Sequence, residues 1–132
     1  MALTINGRFF ERDGESLFVN AVTYGPFPPE QALDPAVEFR HIAEAGFNAI
    51  RTYETPSKEE LDLAATHQLV IFATIPWHWD SLFTENPETI RSAQHELTIF
   101  LRRHGEHPAL GALIIANEIR PDLVRFLSLI HI

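Results

Sequence analysis

An amide and a carboxylate, Asn117 and Glu118, are the residues of this chain best placed for chemistry. They follow a continuous apolar run over residues 110–116, in which apolar and polar residues do not alternate. Such a run is typical of a strand buried on both faces of a parallel sheet, and ligands bind at the carboxyl ends of such strands. The pair is therefore a candidate site, although the same two residues are also compatible with the N-cap of a following helix.

The composition is that of an acidic globular protein. The chain has 132 residues, of which 45% are hydrophobic, and a net charge of -8. This charge argues against nucleic acid and anionic membranes as partners, because both are bound through excess Lys and Arg. The absence of cysteine excludes disulfides, thiolate chemistry and Cys-ligated zinc. The amino terminus does not resemble a signal peptide, and no apolar run approaches the about 20 residues of a membrane span, so we expect a cytoplasmic protein.

Turn signals open the chain. Asn6-Gly7 and Asp13-Gly14 each separate short segments of strand-forming residues, a pattern that predicts a short β-hairpin of two antiparallel strands. Residues 17–24 are β-branched and aromatic and end at Gly25-Pro26, which predicts the first buried strand of the main sheet.

Strands and helices then alternate along the chain. The predicted elements are a helix starting at Asp34-Pro35, a strand over residues 47–53, a helix with a capping box from Ser57 to Glu60, a strand over residues 69–74, and a helix starting at Asn86-Pro87. The residues predicted to face inward are Phe39, Ile42, Ala43 and Gly46 in the first helix, Leu61, Ala64 and Ala65 in the second, and Ile90, Ala93, Leu97 and Leu101 in the third.

This alternation predicts an α/β fold with a parallel sheet and right-handed crossovers. A doubly wound sheet commonly carries a Gly-rich phosphate-binding turn after its first strand, whereas Tyr24 is followed by Gly25-Pro26 and further prolines. A (β/α)8 barrel fits the pattern better. Because a complete barrel takes about 250 residues, the sequence predicts half of a TIM barrel, with four parallel strands after the hairpin.

Four segments resemble, in the correct order, the amino-terminal half of a clan A glycoside hydrolase barrel. They are Phe-Val-Asn-Ala-Val-Thr-Tyr-Gly from residue 18, Gly-Phe-Asn-Ala-Ile-Arg-Thr-Tyr from residue 46, Leu-Asp-Leu-Ala-Ala-Thr-His-Gln-Leu from residue 61, and His-Pro-Ala-Leu-Gly-Ala-Leu-Ile-Ile-Ala-Asn-Glu-Ile from residue 107. The sequence is most similar to family 2-like barrel domains, some of which are fused to bacterial glycosyltransferases. Residues 1–126 are therefore predicted to form the truncated barrel domain. Residues 127–132 are an apolar tail without turn or capping signals and are treated as a candidate non-native segment.

The resemblance implies a retaining O-glycoside hydrolase or transglycosylase that acts on β-linked carbohydrate. In that clan, the Glu in the position of Glu118 is the general acid/base, and the Asn in the position of Asn117 hydrogen-bonds the sugar 2-hydroxyl. The Arg in the position of Arg51 lies beside the nucleophile, which is a Glu that ends the seventh strand. The implied partners are thus an oligosaccharide or polysaccharide substrate and the carboxyl-terminal half of the barrel.

A noncatalytic carbohydrate-binding or regulatory barrel domain, attached to a glycosyltransferase, is the alternative function. The two functions differ in whether a catalytic Glu follows the seventh strand. In either case the first and fourth barrel strands are expected to have unpaired edges, and open edges favour self-association.

Aromatic side chains surround the predicted site. Trp77 and Trp79 follow the third strand and can stack on sugar rings, but loop tryptophans equally serve as packing anchors. Tyr24 and Tyr53 end their strands on the same side and can either donate hydrogen bonds to substrate hydroxyls or pack at the rim.

We expect neither a metal nor a cofactor. His104 and His107 precede the fourth strand, at the stability face of a barrel, and their spacing is not that of the His-Glu-x-x-His zinc motif. Glu54 is a second carboxylate near the mouth, but its position just before Pro56 is more typical of a loop residue than of a nucleophile.

Overall fold

A computed structural model of the chain describes residues 3–31, 33–75 and 87–115, together with residues 117 and 121. Within these ranges the protein has an α/β fold with one antiparallel sheet, one parallel sheet and three α-helices. The predicted class, a parallel α/β sheet with helical connections, is thereby confirmed.

The antiparallel sheet has three strands, β1 (Thr4–Asn6), β2 (Phe9–Arg12) and β3 (Glu15–Leu17), in that order. The expected hairpin is present as β1 and β2, but the third strand was not expected: the turn at Asp13-Gly14 closes a second hairpin and lets β3 pair with β2. Asp13 and Gly14 have φ angles of 59° and 82°, the left-handed conformation that tight hairpin turns require.

The parallel sheet has four strands, each hydrogen-bonded to the strand that follows it along the chain. They are β4 (Ala21–Tyr24), β5 (Ala49–Thr52), β6 (Val70–Thr74) and β7 (Leu110–Ile114). The strand predicted over residues 17–24 begins only at Ala21, because Leu17 already belongs to β3. Asn48 places β4 beside β5: its Oδ1 accepts from the Asn20 N–H at 2.8 Å and its Nδ2 donates to Phe18 O at 2.7 Å.

The connecting helices are α1 (Pro35–Glu44), α2 (Lys58–Thr66) and α3 (Pro87–His104). Both predicted caps that lie in the described ranges are confirmed. Asp34 Oδ1 accepts from the Ala36 N–H at 3.0 Å, and Ser57 and Glu60 form a reciprocal capping box. Among the described helices, none is long and apolar enough to cross a membrane.

All three helices pack on the same face of the parallel sheet. The buried core joins Phe39, Leu61, Ala64 and Phe100 of the helices to Ile50, Ile71 and Ala73 of the strands. Because successive strand residues point to opposite faces, the alternate positions Arg51, Phe72 and Thr74 lie on the face away from the helices.

Two of the predicted helical faces differ from the structure. Gly46 lies beyond the end of α1, where its φ of 89° lets the chain leave the helix. In α3 the buried residue is Phe100, whereas Ile90 and Leu101 are 37% and 42% exposed. Adjacent helical residues are about 100° apart around the axis, so a helix that points Phe100 inward turns Leu101 outward.

The apolar residues that precede Phe100 on the same stripe of α3 line a groove instead of the closed core. Ile90 and Leu97 form one wall, and Ile75 and Ile115, which directly follow β6 and β7, form the other. The groove has a volume of about 210 Å³. Some of the α3 residues that were predicted to face inward, such as Ile90, are thus partly exposed in this groove.

The antiparallel sheet lies against the face of the parallel sheet that the helices leave open. Phe10 of β2 packs edge-on against Phe72 of β6, with ring centroids 5.7 Å apart. Arg12 Nη1 donates to Gln68 O at 2.8 Å, just before β6 begins. The antiparallel sheet therefore contacts the amino-terminal part of β6. These contacts do not cover the carboxyl end of the parallel sheet.

β7 is half-buried along its whole length, which differs from the predicted burial on both faces. The reason is that β7 is the edge strand of the described sheet. Its approach to β6 is close at Gly111, where a Cβ would lie 2.2 Å from Val70 Cγ1. Only glycine permits this approach.

We expect Gly111→Ala to destabilise the fold by about 1–3 kcal/mol, the usual cost of overpacking, because the new methyl group meets Val70. Val70→Ala removes the clashing atom, so the double variant should lose less stability than the sum of the two single variants. Urea unfolding followed by circular dichroism measures all three. Strictly additive losses would contradict the close approach of β7 to β6.

Candidate active site

A polar contact joins β5 to the segment beyond β7. Arg51 of β5 donates from Nη2 to Asn117 Oδ1, although 66 positions separate the two residues in sequence. Because β6 lies between β5 and β7, the Arg51 side chain reaches across the carboxyl end of β6. The structure thus brings together two of the residues that the sequence analysis placed at the mouth of a barrel.

The contact fixes the orientation of the Asn117 amide. A guanidinium group has only donors, so Asn117 must turn its carbonyl oxygen toward Arg51. The amide nitrogen of Asn117 then faces away from Arg51 with two hydrogen atoms to donate. An amide held in this way is suited to bind the oxygen of a ligand hydroxyl group.

Tyr53 supports the guanidinium of Arg51. Arg51 Cζ lies 4.5 Å from the centroid of the Tyr53 ring, and Nη1 donates to Tyr53 Oη at 3.4 Å. A cation over an aromatic ring at a partly exposed site is stabilised by about 0.5–1 kcal/mol. Tyr53 therefore orients Arg51, a role that the sequence analysis did not assign to it.

Two buried polar atoms near this edge have no hydrogen-bond partner in the described part of the chain, Arg51 Nε and Thr74 Oγ1. Thr74 ends β6 and is 5% exposed. Thr52, which ends β5, is 7% exposed, but its Oγ1 donates to Glu54 O at 2.7 Å. Sequence reasoning missed Thr74, because a threonine at the end of an apolar strand reads the same whether or not its hydroxyl group is satisfied.

Tyr24 lies on the helix side of the sheet. Its ring packs edge-on against Phe39 of α1, with centroids 5.1 Å apart, and against Phe27 at 4.9 Å. Burial, followed by the carboxylates of Glu38 and Glu60 among others, raises the pKa of the Tyr24 hydroxyl, so the group stays protonated. These contacts correspond to the rim-packing alternative, although Tyr24 also lines a pocket of about 250 Å³ that includes Tyr53.

Three of the predicted site residues, Glu118, Trp77 and Trp79, lie outside the described residues. Their places at the site remain predictions from the sequence.

The part of the chain that the structure describes contains no group of three or more His, Cys, Asp or Glu side chains arranged to hold a metal ion. His107 instead contacts Asp62, with 3.1 Å between Nε2 and Oδ1, and its Nδ1 accepts from the Ala109 N–H at 3.2 Å. His107 therefore links α2 to the segment before β7, at the end of the sheet opposite Asn117.

The two strand-end threonines should respond differently to substitution. Thr52→Val removes a satisfied hydroxyl group and should cost about 1–3 kcal/mol of unfolding free energy, because it leaves the Glu54 carbonyl without this donor. Thr74→Val should be within about 0.5 kcal/mol of neutral or stabilising, because it removes a buried hydroxyl group that has no partner. Urea unfolding measures both variants, and equal losses for the two would contradict the difference in their bonding.

Comparison with known proteins leaves the site to be interpreted from its own geometry. No family model matches the chain, and no curated protein matches it.

Proposed function

We propose that this chain is the amino-terminal half of a (β/α)8 barrel of the clan A glycoside hydrolase type. The proposed activity is retaining hydrolysis or transglycosylation of a β-linked carbohydrate, with Glu118 as the general acid/base. The observation that carries the proposal is the contact between Arg51 and Asn117 at the carboxyl edge of the parallel sheet. These are the two described residues for which the resemblance implies roles beside the nucleophile and at the sugar 2-hydroxyl.

The topology of the parallel sheet supports a barrel. Its strands follow one another in chain order, β4-β5-β6-β7, and the three described helices pack on the same face. In a barrel the strands are arranged in this way, with helices outside and layers of side chains inside. A doubly wound sheet instead reverses its strand order and carries helices on both faces.

The orientation of Asn117 supports sugar recognition. Its carbonyl oxygen is occupied by Arg51, so its amide nitrogen donates to the substrate. A hydrogen bond to the 2-hydroxyl group that strengthens as the oxocarbenium-like state develops lowers the barrier more than it strengthens ground-state binding.

The proposed chemistry uses two carboxyl groups about 5 to 5.5 Å apart. In the first step, a carboxylate of the second half attacks the anomeric carbon while Glu118 gives its proton to the departing glycosidic oxygen. In the second step, the Glu118 carboxylate takes a proton from water, the water oxygen bonds to the anomeric carbon, and the nucleophile is released. Arg51 stabilises the ionised form of the nucleophile through its positive charge.

The second half of the barrel is the proposed protein partner. β4 and β7 are the edges of the described parallel sheet, and the apolar groove beside β7 continues that open side. Exposed edges and apolar surfaces of this kind pair with other chains. We therefore propose that the chain alone self-associates through these edges, and that a matching second half competes with self-association.

Co-expression with the carboxyl-terminal half of a family 2-like barrel should give an assembly that hydrolyses aryl β-glycosides. Glu118→Gln in that assembly should lower turnover of substrates with poor leaving groups by about a hundredfold or more, because Gln keeps the size but has no proton to transfer. Added azide should restore turnover of substrates with good leaving groups, because an anion attacks the glycosyl-enzyme without a general base. Glu54→Gln is the matched control and should retain activity.

The outcomes separate the candidate functions. Robust turnover by the purified chain alone, lost in Glu118→Gln, would contradict the half-barrel proposal, since the nucleophile would then come from within this sequence. An assembled barrel whose turnover is unchanged by Glu118→Gln would contradict the assignment of Glu118. An assembly that binds sugar without any turnover would favour the noncatalytic domain.

A further inference from the structure

A cavity of about 250 Å³ lies at the carboxyl ends of β4 and β5, on the helix side of the parallel sheet. Tyr24 and Thr52, which end the two strands, both line it. Thr52 points to the helix side because it lies two residues after Ile50, which belongs to the core under the helices. Arg51 points to the opposite face and does not line the cavity. The cavity is therefore separate from the contact between Arg51 and Asn117.

Aromatic rings form a fixed corner of this cavity. Tyr24 and Phe27 meet edge-to-face, with ring centroids 4.9 Å apart and ring planes 78° apart. Tyr24 is held by Phe39, with centroids 5.1 Å apart, and Phe27 lies over Gly25, where a Cβ would be 3.8 Å from the Phe27 ring. Tyr53 adds a third ring to the lining. Ring faces that are held at an angle to one another are suited to contact a cation.

The described lining of the cavity carries carboxylates but no Lys, Arg or His. Glu54 lines the cavity from an exposed position, where solvent and salt screen its charge. Glu60 is half-buried, and its position is fixed because Oε2 accepts from the Ser57 N–H at 2.8 Å. Its other carboxylate oxygen, Oε1, accepts none of the described hydrogen bonds. Glu60 is thus the carboxylate best placed to pair with a cation in the cavity.

The surroundings of the cavity favour a cation over an anion. Burial, followed by the carboxylates of Glu38, Glu60 and Asp34, raises the pKa of the Tyr24 hydroxyl group, as negative charge nearby must do. The amino-terminal ends of α1 and α2 would by themselves attract an anion. The side chains of Asp34 and Ser57 already accept from backbone N–H groups there, and acidic residues follow in both first turns.

An organic ammonium ion suits this lining better than a metal ion does. Metal ions such as Ca²⁺ need several oxygen ligands at short distance, and the described residues contain no group of three or more side chains arranged to hold one. An ammonium group with alkyl substituents is instead stabilised by aromatic faces and a single carboxylate. The volume of about 250 Å³ is below the usual range for drug-sized ligands, so the ion must be small.

We propose that this cavity binds an organic ammonium group, with the rings of Tyr24 and Phe27 against the cation and Glu60 as its counter-charge. The inference goes beyond the proposed glycosidase chemistry and does not rest on it, because the bond-breaking steps use none of these three residues. The ammonium group belongs either to a free amine or to an amino sugar, and competition between the two kinds of compound distinguishes them.

Equilibrium dialysis of the purified chain against radiolabelled tetramethylammonium chloride, at pH 6 and constant ionic strength in sodium chloride, measures the site directly. We expect saturable binding. Glu60→Gln should raise the dissociation constant by about fivefold or more, because it removes the counter-charge, while Gln still completes the capping box with Ser57. Glu59→Gln is the matched control. It removes the same charge from the first turn of α2 outside the lining and should bind as the wild type does.

The aromatic wall is tested by a second pair of variants. Phe27→Leu should weaken binding of tetramethylammonium by about fivefold, because Leu is apolar but has no π face. Phe27→Tyr keeps the ring and should bind as the wild type does, which separates loss of the ring from loss of the fold.

Glucosamine and N-acetylglucosamine have the same sugar ring with and without an ammonium charge, so they identify the source of the cation. Displacement of tetramethylammonium by glucosamine at lower concentration than by ethylamine would indicate an amino sugar, whereas equal or weaker displacement would indicate a free amine. Displacement by N-acetylglucosamine as effective as that by glucosamine would overturn the proposal. Binding that does not saturate, or that is unchanged in both Glu60→Gln and Phe27→Leu, would overturn it as well. These results would leave the assay of Glu118 unaffected, because that assay measures turnover of uncharged glycosides.

Discussion

The burial of one face of the parallel sheet under three helices is the constraint on which the rest of the structure depends. Ile50, Ile71 and Ala73 are committed to the helix side. Since side chains alternate along a strand, that commitment sends Arg51 and Thr74 to the opposite face. The polar residues of the candidate site are thus placed by the apolar residues beside them, and a shift of one residue in register would exchange the two sets.

The Arg51 side chain converts this placement into a preorganised site. Removing a cation from water is costly unless its donors are satisfied, and the structure satisfies them in part, through Asn117 and the ring of Tyr53. The remaining buried donor, Arg51 Nε, and the hydroxyl group of Thr74 have no hydrogen-bond partner in the described part of the chain. Groups that are fixed before a charge arrives stabilise it without the cost of reorganisation, which is how active sites gain much of their effect.

The sequence predicted the elements whose signals are local. The cap at Asp34 is decided within a few residues, and the parallel sheet follows from the alternation of apolar strands and helices. The third antiparallel strand was missed because the residue type of Leu17 is compatible both with β3 and with the start of β4. The hairpin turn at Asp13-Gly14 pairs this residue with β2 and thereby assigns it to β3. The inward turn of Phe100 depends on which side of α3 meets the sheet, and the unsatisfied hydroxyl group of Thr74 depends on what surrounds it. Neither property is contained in residue type or spacing.

The central claim is that Arg51 and Asn117 meet across β6 and form one site, and a double-mutant cycle on this pair tests it most directly. Urea unfolding of Arg51→Met, Asn117→Leu and the double variant gives the interaction free energy of the two side chains. We expect a favourable coupling of about 1 kcal/mol or more, as for residues in one hydrogen-bond network. Losses that add within about 0.5 kcal/mol, as for distant and independent sites, would contradict the contact.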